Sequence, residues 1–169
     1  VHTDMQDALK KYADENDVEV FIEKEITIPR LNVRSFLDAM VLKDGALYDI
    51  KTCNDYKWQS VFSKYGSTDN IQNYMIQLGT YGLYFREKGI KLNKMALLFY
   101  NKNNSRVKEL KVPRTYIDMA ERYWLKVQEL FKEGLPPIER GLAPVIDWEC
   151  NKKYCSFFEA CGGGIKGLD

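Results

Sequence analysis

Apolar positions along the chain recur with two periods, and the switches between them outline its elements. In residues 2–15, Met5, Leu9 and Tyr12 return at helical spacing among charged residues, until Asn16 and Asp17 break the pattern. Residues 18–29 alternate instead, with Val18, Val20, Ile22, Ile26 and Ile28 pointing one way, which predicts a strand. A second strand is expected over 33–42 and a third over 46–52, joined by the turn residues Lys43-Asp44-Gly45. Together these make an antiparallel meander. Residues 54–68 show no clear period and are expected to form an irregular connection.

Ser67, Thr68 or Asp69 can cap the helix that follows, and Gly89 can stop it. Within it, Ile71, Tyr74, Met75, Leu78, Gly82 and Phe85 form one apolar stripe. The run KMALLFY over 94–100 reads as a buried strand, 101–105 as a polar turn and 106–112 as a more exposed strand. A second long helix is expected over 115–133, with Ile117, Ala120, Trp124, Val127 and Phe131 inward and Gly134 and Pro136-Pro137 ending it. The order of helix, three strands, helix, two strands, helix is that of an α/β domain with a mixed sheet flanked by helices. No repeat or linker divides it, so residues 1–147 are expected as the core and 148–169 as a cysteine-containing tail of the same domain. No Gly-rich loop follows a strand, which leaves Walker and dinucleotide-binding readings without support.

Composition narrows the class. With 169 residues, 45% of them hydrophobic and 29% charged, the chain can build one real core and is neither disordered nor fibrous. No apolar run approaches the roughly 20 residues of a membrane span. The opening VHTDMQDALKK has no signal-peptide core, so a cytoplasmic protein without membrane contact is expected. The chain opens on Val rather than Met, as a fragment of a longer protein would. Its net charge of +1 hides an asymmetry. Residues 1–55 hold 12 acidic and 7 basic side chains, a net of −5, whereas 86–114 hold 9 basic and 2 acidic, a net of +7. A metal-binding cluster beside a phosphate-binding surface would look like this, and so would two ordinary solvated faces. Lys91, Lys94, Lys102 and Arg106 are the candidate nucleic-acid contacts.

The candidate chemistry lies on the second and third strands. Asp49 and Lys51 are two apart and project on one strand face, while Ile50 enters the core. A hairpin centred near Asp44 would bring Asp38 close to directly opposite Asp49. Two carboxylates on neighbouring strands with a lysine beside them could form a divalent-metal site. The acid-x-Lys pattern alone is weak, since Asp55–Lys57 and Glu109–Lys111 repeat it. Only Asp49–Lys51 has a second acid on the preceding strand, and a surface salt bridge is the bland alternative.

The series SFLDAMV, LYDIKT and QLGTY resembles the PD-(D/E)XK nuclease superfamily in its RecB-like exonuclease branch. The following LLFYNKNN resembles phage-encoded and CRISPR-associated members. The resemblance runs over most of the chain and implies a restriction-endonuclease-like core with a central sheet of about five strands. Asp38 matches the first metal-binding acid, Asp49 the acid of the D/E-x-K motif and Lys51 its lysine. Gln77 and Tyr81 match the Q-x-x-x-Y motif, one helical turn apart on one face. Without the resemblance, a helix that buries Tyr81 and exposes Gln77 would explain that pair. His2, the one histidine, matches by position the histidine that completes the metal site in that branch. Glu23 and Glu25, acids on the first strand, are further candidates that read more simply as ordinary strand residues. The implied activity is phosphodiester hydrolysis of DNA by an exonuclease of phage or prophage origin, acting in recombination, repair or processing beside a recombination or phage protein. Asp38, Asp49, the Ile50 backbone carbonyl and His2 would hold Mg²⁺ or Mn²⁺. The alternative is a nucleic-acid-binding module that kept the fold and lost turnover.

Cys150, Cys155 and Cys161 cluster near the chain end, separated by four and five residues. Such clustering without an export signal favours a metal or buried thiols over disulfides. Many RecB-like nucleases hold a 4Fe–4S cluster with a C-terminal triplet and one distant N-terminal cysteine. Here the second spacing fits and the first is two residues longer, and no cysteine precedes His2. A cluster, zinc and plain thiols therefore all stay open, and Cys53 is poorly placed to join the triplet.

Overall fold

The alternating segments of the first half become three strands: β1 (Val20–Ile28), β2 (Val33–Val41) and β3 (Ala46–Cys53). The structure, a computed structural model, describes residues 2–41, 45–132, 152–154 and 156. Ahead of the strands lies α1 (His2–Asn16), and Gly45 closes the second hairpin at φ +56. β4 (Lys94–Asn101) and β5 (Val107–Lys111) complete a five-stranded sheet in the order β1-β2-β3-β4-β5. All neighbours are antiparallel except β3 and β4, which run parallel. A parallel step needs a long crossover, and residues 54–93 provide it with α2 (Asp55–Phe62) and α3 (Gln72–Glu87). The fold is thus α/β, a mixed sheet flanked by helices.

α2 replaces the irregular connection expected over 54–68. The Asn54 side chain caps it by accepting the Lys57 N–H at 2.9 Å, and Trp58 and Val61 face inward. Eight residues are too few for a helical period to stand out in the sequence. A 3-10 turn over Asp69–Ile71 precedes α3, and Ser67 Oγ accepts the Asp69 N–H at its start at 3.1 Å, while Thr68 makes no side-chain cap bond.

α3 is the structural centre. Met75, Leu78, Tyr81, Leu83 and Phe85 are all buried on it, and from β4 Leu97 and Phe99 meet the same core. Each large apolar side chain buried this way contributes roughly 1.5–3 kcal/mol. α4 (Thr115–Lys132) approaches α3 so closely that a Cβ on Gly79 would overlap the Tyr116 carbonyl oxygen. An ion network reinforces this packing: Arg30 bonds Glu87 at 2.6 Å and also Glu121, while Arg86 bonds Asp118 at 2.6 Å and also Glu121.

The chain divides into two units, Val1–Arg122 and Tyr123–Asp169. The expected border between core and tail, at 147 and 148, lies outside the described residues. In the second unit Tyr123 and Trp124 meet edge to face at 5.0 Å, and Phe131, expected to point inward, is 81% exposed. Helical spacing marks a stripe but does not say what covers it. Among the described residues no helix is long and apolar enough to cross a membrane.

Candidate active site

β2 and β3 pair from Val41↔Ala46 to Ala39↔Tyr48, and one further step would set Asp38 opposite Asp49. The pairing stops there. The Ile50 N–H donates instead to Asp38 Oδ2 at 2.6 Å, a charge-assisted bond stronger than the neutral ladder bond it replaces. On the other side, β1 and β2 pair at Ile22↔Ala39 and Lys24↔Leu37 but not at Glu23 and Asp38. Glu23 takes φ +49 at that gap, a conformation that costs a residue with a side chain about 1–3 kcal/mol. Its carboxylate accepts from Gln6 Nε2 at 3.1 Å, across from α1. Asp38 therefore lies where the ladder is open on both sides. Along this hairpin the Asp38 carboxylate is set against the backbone of Ile50, the residue after Asp49.

Asp49 is 0% exposed. The Lys51 ammonium reaches back along the same strand face to its Oδ2 at 2.7 Å. The same ammonium donates to Gln77 Oε1 at 2.9 Å and stands 4.8 Å from the centre of the Tyr74 ring. Gln77 Nε2 then donates to Tyr81 Oη at 2.7 Å. Because an ammonium can only donate, Gln77 must turn its oxygen to Lys51 and its nitrogen to Tyr81. Asp49, Lys51, Gln77 and Tyr81 form one continuous chain of polar contacts. Gln77 is exposed and Tyr81 is 2% exposed, as core packing alone would require, yet both are also bonded into the site.

Burial pushes the Tyr81 hydroxyl above its ordinary pKa. Hydrogen bonds with Ser35 and Gln77 pull it back, and the negative charges of Asp49 and Asp38 push it further up. Carboxylates are the hard oxygen donors that Mg²⁺ and Mn²⁺ prefer. Among the described residues no group of three His, Cys, Asp or Glu side chains forms a metal cage. His2 begins α1, and its side chain lies outside the described residues.

Sequence reasoning missed Tyr74, Ser35 and the gap at Glu23. Tyr74 had a readable signal, since it lies three residues before Gln77 and seven before Tyr81 on one face of α3. The left-handed Glu23 had none. Glu25, the other first-strand acid, bonds Arg34 at 2.8 and 3.0 Å on the surface.

The four basic candidates do not form one surface group. Lys94 is half-buried and already bonded to Glu109 and to Tyr48 Oη at 3.1 Å. Burial would lower its pKa, and those two hydrogen bonds more than offset that and hold it above the ordinary value. Lys91 shares a groove with Arg114 and Ile117. Lys102 follows β4, and its charge is felt at Cys53. Arg106 is exposed beside the Asn101–Ser105 turn, its N–H donating to Asn104 Oδ1 at 3.1 Å. Cys53 is buried, and burial pushes its thiol up. Cys150, Cys155 and Cys161 lie outside the described residues.

No family model matches the chain, and no curated protein matches it. Among solved structures, one described as the crystal structure of SSO0001 is similar, with a TM-score of 0.51 at 17% identity. The match covers 96% of this chain and 68% of that one. At this identity the likeness is one of fold.

Proposed function

We propose that the chain is a metal-dependent deoxyribonuclease of the PD-(D/E)XK kind, a cytoplasmic exonuclease hydrolysing phosphodiester bonds. The observation that carries this reading is the Lys51 ammonium, held at 2.7 Å from Asp49 and 2.9 Å from Gln77 next to a second strand carboxylate. Asp38 and Asp49 would hold Mg²⁺ or Mn²⁺, with His2 and the Ile50 carbonyl as the further ligands the resemblance implies. When bound, such an ion supplies a water of lowered pKa and offsets charge on the phosphoryl oxygens.

The side chains of this protein do the rest. Asp38 anchors its carboxylate on the Ile50 N–H, which fixes the direction of its other oxygen. Lys51 brings a positive charge to the edge of a buried carboxylate, where it can donate to an attacking water or to a phosphate oxygen. Gln77 holds that ammonium in place and is itself oriented by Tyr81. Tyr81 stays protonated at neutral pH and acts as a fixed hydrogen-bonding post.

The test is digestion of end-labelled linear DNA with Mn²⁺, with EDTA, and with Lys51→Ala protein in parallel. Shortening from an end that needs the metal and is lost in the variant is expected. No cleavage by the intact chain with Mn²⁺ would favour a binding module instead.

A further inference from the structure

Two tyrosines, one in the first turn of α2 and one just after its end, are almost bare. Tyr56 is 84% exposed and Tyr65 is 88% exposed, far beyond what a ring this apolar gains by facing water. Both belong to the segment that leaves the end of β3, the strand carrying Asp49 and Lys51. That segment is tied to the site through a shared ring. Lys57 and Lys51 both lie over Tyr74, at 5.8 and 4.8 Å, and Lys57 Nζ also donates to the Asn70 carbonyl at 2.8 Å.

The charge around these rings is mostly positive. Lys64 lies 5.5 Å from the Tyr65 ring, and Lys108 stands 4.6 Å over Phe62 at the end of α2. Residues 54–68 contain one acid, Asp55, against Lys57 and Lys64. Asp55 is already engaged, accepting from Asn101 Nδ2 at 2.6 Å and Asn104 Nδ2 at 3.2 Å. Bare aromatic faces set among lysines suit a polyanion with free flat groups. In a duplex the bases are stacked on one another, so only an unpaired strand can offer them to a side chain.

We propose that α2 and the turn after it form a binding platform for single-stranded DNA, with bases stacked on Tyr56 and Tyr65 and phosphates facing Lys57 and Lys64. This rests on the nuclease reading for the identity of the polymer and adds to it the strand form and the place where it binds. The two tyrosines act by stacking and take no part in the hydrolysis.

The test is fluorescence anisotropy of a labelled oligothymidine and of a duplex of equal length, titrated in EDTA so that cleavage plays no part. Tyr56→Ser and Tyr65→Ser should each weaken oligothymidine binding about tenfold, near the lower end of stacking contributions. Tyr56→Phe and Tyr65→Phe keep the π-face and should bind as the intact chain does. Circular dichroism of all four variants should match the parent, since both rings are at the surface. Unchanged affinity in the two Ser variants would overturn the proposal, as would equal weakening for duplex and single strand, or no binding by the intact chain. A chain that never cuts DNA but binds oligothymidine through these rings would sink the nuclease reading and leave the platform standing. Cleavage with Ser variants of parental affinity would do the reverse.

Discussion

Lys51 and Gln77 meet at 2.9 Å across twenty-six residues of chain, one on the central strand β3 and the other on the helix that crosses back over the sheet. Gln77 also donates to Tyr81 at 2.7 Å, so a neutral amide sets where the ammonium stands. Gln77→Leu should therefore lower kcat for DNA cleavage by about a hundredfold while leaving KM within a few-fold, the signature of a displaced group rather than lost binding. An equal rise in KM with unchanged kcat would show that Gln77 touches substrate instead.

Asp38 does two things that substitution can separate. Asp38→Ala leaves the Ile50 N–H without its 2.6 Å acceptor and should cost about 1–3 kcal/mol, read as a lower urea midpoint. Asp38→Asn keeps an acceptor oxygen and should regain most of that stability. Neither variant should cleave DNA, because the carboxylate charge is gone in both. Cleavage by Asp38→Asn at the parental rate would remove Asp38 from the proposed metal site.

Tyr81 gives a pH dependence with a definite sign. Its folded pKa lies above the ordinary value, so the folded chain holds that proton more tightly than the unfolded chain does. Its contribution to stability is complete below the unfolded value of about 10 and is lost as pH rises through the folded pKa. Spectrophotometric titration should show a tyrosine ionising above the ordinary range that is absent in Tyr81→Phe. Urea midpoints of that variant should fall less steeply above about pH 10.

Gly79→Ala pits two effects of opposite sign against each other. Helix propensity alone would stabilise by up to about 1 kcal/mol. A Cβ there meets the Tyr116 backbone, which cannot swing away as a side chain could, and overpacking costs about 1–3 kcal/mol. A net loss of stability is expected by thermal or urea unfolding. A gain would mean that α3 and α4 are less closely packed.

Period-two alternation was enough to read β1, which buries Ile26 and Ile28 with Thr27 exposed between them. By contrast, β2 and β3 were read from the turn residues between them and bury neighbouring side chains on both faces. α2 was not legible: its buried pair, Trp58 and Val61, is diluted by the exposed Tyr56 within a single helix of eight residues. For the site, Asp49 and Lys51 follow from strand geometry, whereas the pairing of Lys51 with Gln77 depends on a parallel crossover that no local pattern encodes. The Asp38–Ile50 bond and the left-handed Glu23 belong to the same class. They arise where three strands meet, and single-strand periodicity carries no record of them.

The most direct measurement is Mn²⁺ titration by calorimetry of the intact chain, Lys51→Ala and Asp49→Ala, with cleavage of end-labelled DNA assayed on the same preparations. The site as described predicts that Lys51→Ala binds Mn²⁺ and does not cut, and that Asp49→Ala does neither. Continued turnover by Asp49→Ala would contradict it.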